Sequence, residues 1–401
     1  MSAGADLPDD IDDDISRQKM FSLMESMMGD VMADAMADKM KDIIMEAVDD
    51  SPDLISFTPE EAIDEFIESK KGDTTKNTRE AYRKSLHHFV DFCERNEIDE
   101  MRNLDGTDLT SYRTYRREES WEDTLSPKTM KDEQWLMNAF ISHLETVDAV
   151  EQDLSDAVKI PDVDEEDEVR DEYLPHDRQT SIIEHLGQYK YATAEHVTWL
   201  LLSTRGVRRC TVRAPDLKDF DAEKQKLELY NRPEEGTRLK NGKKSERNLS
   251  LPDRVVTVLQ DYIKNHRHDV TDDYGRQPLI TTQYGRVSKT TISKYVYKWT
   301  RPCEIRGSCP HDRDQNTCVA MESAGNAPKC PDSKSTHTIR KGYFTYHCNN
   351  GVPKKILSDQ ADVSEKILEK HYNMADKEDK RELNRKVFDE FYGNDEEGFY
   401  A

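Results

Sequence analysis

No apolar run in this chain approaches the roughly 18 residues that cross a bilayer, and its opening residues are acidic rather than basic and then apolar. The expectation is a soluble, cytoplasmic protein with neither secretory leader nor membrane anchor. Cysteine pairs of the CxxC type are missing. Seven cysteines without an export signal predict packing residues or metal ligands rather than disulfides. Positive charge is also short, since the formal net charge is −24. A length of 401 residues exceeds one ordinary core and predicts two or three units.

The charge deficit is local. Residues 1–55 hold 15 acidic and 4 basic side chains, and residues 148–172 hold 12 and 2, so the other 321 residues net only −3. Residues 201–250 carry 13 basic against 8 acidic, and residues 283–358 carry 13 against 5. Local field steers a polyanion, so these stretches leave nucleic acid open as a partner. Mixed-charge solvated surface is the plainer reading of the same numbers. The Asp and Glu excess also fits a salt-adapted microbe or its virus.

The first 55 residues read as an acidic, Met-rich arm. Met20, Met24, Met28, Met32, Met36 and Met40 recur every four residues, a stripe that drifts around a helix of period 3.6 and suits adaptable self- or accessory-protein contacts. Residues 56–147 read as a small helical bundle. Tyr82, Leu86, Phe89, Val90 and Cys93 form one apolar face, capped by Asn77 or Thr78. A second helix opens on Ser126-Pro127 and presents Met130, Leu136, Met137, Phe140, Ile141 and Leu144. Residues 148–172 form an acidic linker without apolar period.

A second domain, residues 173–375, opens helically through "AEHVTWLLLSTRG", then shows strands at "KLELYNRP" and "RNLSLP" around an Asn-Gly turn, then helices again. The predicted class is mainly α with a small antiparallel sheet, an α+β domain beside an N-terminal helical bundle. Within it stand Arg208, Lys240 with Lys243 and Lys244 nearby, His337 and Arg340 three apart on one helical face, and Tyr372 near a helix end. Such groups suit phosphoryl transfer without a metal. Guanidinium forks neutralise phosphate oxygens, a lysine protonates a leaving oxygen, and a tyrosine oxygen attacks.

The order Arg, hairpin Lys, His-x-x-Arg, Tyr resembles the tyrosine recombinase (lambda-type integrase) family. "TRGVRRCTVRAPDLKDFD" is similar to its first box, with Gly206, Arg208, Asp219 and Asp221 in register, and "THTIRKGYFTYHCNNG" to its second, with Gly351 in place. The bundle resembles the family's SAM-like core-binding domain, so the likeness spans about residues 57–375. It implies that Tyr372 forms a 3′-phosphotyrosyl bond and that Arg208 and Arg340 clamp the scissile phosphate. Lys240 (or Lys243 or Lys244) is then the general acid, and His337 assists. It further implies double-stranded DNA as substrate, a dimeric or tetrameric synapse, nucleoid association, and no cofactor, ATP or Mg²⁺. The activity implied is site-specific recombination: integration, resolution or inversion. The alternatives are a cleavage-silent DNA-binding protein of this fold and a type IB topoisomerase-like relaxing enzyme.

Two departures stand out. Thr211 occupies the place of a Glu three residues after the Arg, and the usual Leu-Gly-His reads Ser358-Asp359-Gln360. That puts Gln360 near the His position, with about three residues too many before Tyr372. An insert at 302–331 carries Cys303, Cys309, His311, Cys318 and Cys330 among Gly and Pro, which predicts a structural Zn²⁺ knuckle of Cys₄ or Cys₃His type. The tail, 376–401, spaces Leu383, Val387 and Phe391 by four, a helix suited to docking on a neighbouring protomer.

Overall fold

The computed structural model describes residues 54–118, 125–164 and 172–372, with short helical pieces at 381–382, 384–385 and 388–389. The Met-rich arm and Leu383, Val387 and Phe391 of the tail lie outside the described residues. The chain divides into two compact units between Val169 and Arg170.

The first unit is a bundle of four helices: α1 (Pro59–Ser69), α2 (Lys76–Arg95), α3 (Gly106–Glu118) and α4 (Pro127–Thr146). Thr58 opens α1 with a capping box to Glu61, and Ser126 caps α4 ahead of Pro127. The cap of α2 is Thr75, not Asn77 or Thr78; its hydroxyl accepts from the Thr78 N–H, so the helix starts a turn earlier than its apolar face suggests. Leu86, Phe89, Val90 and Cys93 are buried as their spacing predicts, and Phe66, Phe89 and Phe140 meet edge to face at the centre. Part of the expected linker belongs to this core. Ala149, Val150, Leu154 and Val158 are buried, because scattered apolar side chains among the acids close the bundle's end.

The second unit is built around α6 (Ala194–Arg205), buried from His196 to Ser203. Packed around it are α5 (His176–Tyr189), α8 (Asp253–Asn265), α9 (Lys289–Thr300) and α12 (Thr336–Asn349). A helix apolar on all sides must sit centrally. After the short α7 (Arg209–Arg213) comes an antiparallel sheet of β1 (Phe220–Asp221), β2 (Lys226–Leu229) and β3 (Arg247–Ser250), with Leu227 opposite both Phe220 and Leu249. A two-stranded ladder, β4 (Thr281–Thr282) with β5 (Gly285–Arg286), precedes α9. The insert holds α10 (Pro302–Arg306) and α11 (Val319–Glu322); after α12 come α13 (Lys354–Ala361) and α14 (Glu365–Tyr372). The unit is thus mainly helical with a small antiparallel sheet. Among the described residues no helix is long and apolar enough to cross a membrane.

Candidate active site

Gly206 closes α6 in the left-handed region, φ +58°, with the Tyr343 ring against it; a Cβ there would come within 2.3 Å of Tyr343 Cδ1. This tight reversal puts Arg208 at the N-cap of α7. Gly342 serves the same end on α12, where a Cβ would meet the Leu174 carbonyl oxygen at 1.9 Å. The bare helix face lets Leu174 N–H donate to Thr338 O at 3.0 Å, which sets α12 and with it His337 and Arg340.

Arg340 is 6% exposed. Its Nη1 donates to Gly206 O at 2.6 Å and to Ala361 O at 2.7 Å, tying the end of α6 to the end of α13. Arg208 Nη1 donates to Asp362 O and to Asp362 Oδ2, both at 2.7 Å. His337 stands exposed one turn before Arg340. Partial loss of solvent, then the positive charges of Arg340, Arg209, Arg208 and Lys341, hold its imidazole below the ordinary value. Four cations thus bear on one imidazole.

The long β2–β3 loop carries Lys240, Lys243 and Lys244, all exposed. Asn231 fixes its base, its side-chain oxygen accepting from Leu239 N–H at 2.9 Å. A 3-10 turn, Gly242–Ser245, follows Lys240. Beyond it Ser245 Oγ donates to Asp362 Oδ2 at 2.7 Å, and Asn241 Nδ2 donates to Asp362 Oδ1 at 3.1 Å. Tyr372 ends α14; its side chain lies outside the described residues.

Gln360 stands in the last turn of α13. Its carbonyl accepts from Arg247 Nε at 2.9 Å, and its Oε1 is buried without a hydrogen-bond partner among the described residues. The left-handed residue closing α13 is Asp362, φ +56° and ψ +63°. A glycine after a helix commonly takes such a position. Val363, the next residue, is buried.

Several residues of this cluster carried no signal in the sequence. Arg247, pushed down to about 10 by burial, lies within the field of Arg208 and Asp362. Asp362 could have been found only from the preference of Asp and Asn for left-handed helix ends. Of the first-box acids, Asp219 accepts two bonds from Arg232, at 2.9 Å each, and Asp221 pairs with Lys224; nearby Asp216 pairs with Arg232 and Arg286. Thr211 is buried, and the carboxylate beside Arg208 comes from Asp362 instead of from the residue three places on.

The structure shows no metal site at the five insert residues. Among the described residues no three His, Cys, Asp or Glu side chains gather to hold an ion. Cys303 Sγ lies 3.8 Å from Met321 Sδ, and His311 Nε2 meets Asp332 Oδ2 at 3.0 Å. Cys309 and Cys318 are part-exposed, and Cys330 is buried. Ala320 and Ala327 of the insert are buried, and Arg301 donates to Ala320 O and to Glu304.

No protein-family model matches the chain, and no curated protein matches it. Solved structures do. The Tn1549 transposon integrase in complex with transposon right-end DNA is similar over 82% of this chain and 99% of that one, at 14% identity and a TM-score of 0.56. A lambda integrase dimer bound to a COC′ core site is similar over 78% of this chain and 97% of its own, at 11% identity and a TM-score of 0.53. The N-terminal domain of a phage integrase/site-specific recombinase from Haloarcula marismortui is 32% identical, over 27% of this chain and 99% of its own, with a TM-score of 0.25. The fold is that of the integrase catalytic domain.

Proposed function

We propose that this chain is a tyrosine recombinase, a site-specific DNA recombinase that cuts and rejoins duplex DNA through a 3′-phosphotyrosyl intermediate, without ATP or Mg²⁺. The observation that carries the reading is the junction of the Arg208 turn, the His337–Arg340 face and the lysine-bearing loop around one turn, ten residues before Tyr372. A phosphodiester seated there meets guanidinium charge on its non-bridging oxygens as the five-coordinate state forms. The Tyr372 oxygen bonds to phosphorus, the bond from phosphorus to the 5′-oxygen breaks, and Lys240 (or Lys243 or Lys244) gives its proton to that oxygen. His337 holds the phosphate or takes the tyrosine proton. Because the tyrosyl ester preserves the bond energy, a second 5′-hydroxyl reverses the step on a new strand.

The similar integrases are bound to transposon right-end DNA and to a core site, which agrees with this substrate, and the lambda integrase dimer agrees with action by several protomers. The acidic composition agrees with a salt-adapted host or its virus. Covalent capture tests the proposal. Wild type and Tyr372→Phe are incubated with sheared genomic DNA at high salt and denatured, and the attached DNA is sequenced. A discrete sequence held by wild type alone is the expected result. Native binding with no adduct from either protein would assign the chain to DNA binding only, and relaxation of any supercoiled plasmid would assign it to the topoisomerase class.

A further inference from the structure

The Asp362 carboxylate joins three segments that lie far apart in the chain. Oδ2 accepts from Arg208 Nη1 and from Ser245 Oγ, each at 2.7 Å, and Oδ1 accepts from Asn241 Nδ2 at 3.1 Å. Arg208 comes from the α6–α7 turn, and Asn241 and Ser245 bracket the turn that holds Lys243 and Lys244 and directly follows Lys240. Asp362 itself lies between α13 and α14, the helix that ends in Tyr372. The side chain is 14% exposed, so these bonds form in a partly dry setting where they hold geometry well. A second tie, Arg247 Nε to Gln360 O at 2.9 Å, fixes strand β3 to α13 but leaves the loop tip to Asp362.

We infer that Asp362 is the positioning residue of this site, holding the lysine-bearing loop in place against Arg208 and the turn that leads to the nucleophile's helix. The inference rests on the recombinase reading above. Asp362 touches none of the reacting atoms; the proton delivered to the departing 5′-oxygen comes from the loop lysine. What Asp362 sets is where that lysine stands when the bond breaks.

Two variants and two substrates test this. Asp362→Gly removes the carboxylate and keeps the turn, since φ +56° costs glycine nothing. Asp362→Asn keeps an accepting oxygen and tolerates the left-handed region, but lacks charge. The substrates are duplex oligonucleotides carrying the sequence captured by wild type, one natural and one with sulfur replacing the bridging 5′-oxygen. A thiolate departs without protonation because its pKa lies far below that of an alcohol, so the sulfur substrate bypasses the general acid. On the natural substrate Asp362→Gly should form adduct about a hundredfold more slowly, as a misplacement of order 1 Å does. On the sulfur substrate it should return to within about threefold of wild type. Asp362→Asn should fall between, with native DNA binding retained by both variants.

Wild-type speed for Asp362→Gly on the natural substrate overturns the inference. So does an equal loss on both substrates, which would assign Asp362 to Arg208 or to folding alone. Failure of wild type to capture any DNA would sink the recombinase reading and this inference with it, whereas an active wild type beside an indifferent Asp362→Gly sinks this inference alone.

Discussion

Arg340 Nη1 donates to the Gly206 carbonyl at 2.6 Å and to the Ala361 carbonyl at 2.7 Å, so one buried guanidinium is tied both to the turn before Arg208 and to the turn before Asp362. A lysine keeps the charge but not the planar fork, and cannot meet both carbonyls while facing a phosphate. Arg340→Lys should therefore lose adduct formation by about a hundredfold or more, a loss of the size seen when one transition-state donor is removed. Native DNA binding should fall much less. Quenched-flow measurement of the covalent complex separates the two; equal losses in binding and cleavage would make Arg340 a docking residue.

The helices and strands of both units were largely legible, because their apolar spacing is regular and their caps are Thr, Ser and Pro. Candidate site residues could be chosen because their types and order are unusual together. At the α13–α14 turn, Asp362 takes a conformation usually left to glycine, which its letter alone does not announce. In the insert, cysteine content suggests a metal, while the buried Arg301 and two buried alanines have no sequence signature.

His337 should respond to DNA through its proton. Loss of solvent and four nearby cations depress its pKa in the free protein, and an arriving phosphate favours the charged ring. Its pKa must then rise on binding, and the complex takes up a proton between the two values. Affinity should tighten as pH falls from about 7.5 to about 6, around the usual imidazole range. The slope should flatten in His337→Gln. Fluorescence anisotropy at constant ionic strength reads both; parallel slopes would remove His337 from the phosphate's surroundings.

The insert should be indifferent to metal. Because the five side chains do not converge, purified protein should carry less than about a tenth of an equivalent of zinc, and chelator should leave its thermal unfolding unchanged. Cys309 and Cys318 should alkylate in the native protein before the buried Cys330. Stoichiometric zinc together with a chelator-induced loss of stability would restore the knuckle.

In the first unit, Arg116 and Glu133 form a buried two-pronged pair, with bonds of 2.9 and 2.8 Å and side chains 6% and 13% exposed. Removing one charge strands the other. Glu133→Gln should destabilise that unit by about 3–5 kcal/mol in urea unfolding, while Arg116→Met with Glu133→Leu should recover most of it. If the double variant is as unstable as the single one, the pair is holding geometry that apolar packing does not replace.

Gly206 combines two demands that no other residue meets together. Its φ of +58° disfavours any side chain, and a Cβ would stand 2.3 Å from Tyr343 Cδ1. The backbone contributes about 1–2 kcal/mol of strain for alanine, and the forced shift of a packed ring a further 1–3 kcal/mol. Gly206→Ala should thus lower stability by about 2–5 kcal/mol in equilibrium unfolding. It should also slow cleavage, because the Gly206 carbonyl is one of the anchors of Arg340. Tyr343→Leu in the same chain relieves the steric part and leaves the backbone part, so roughly half the stability should return. Recovery of stability without recovery of cleavage would show that the aromatic ring, and not only the glycine, sets the arginine's place.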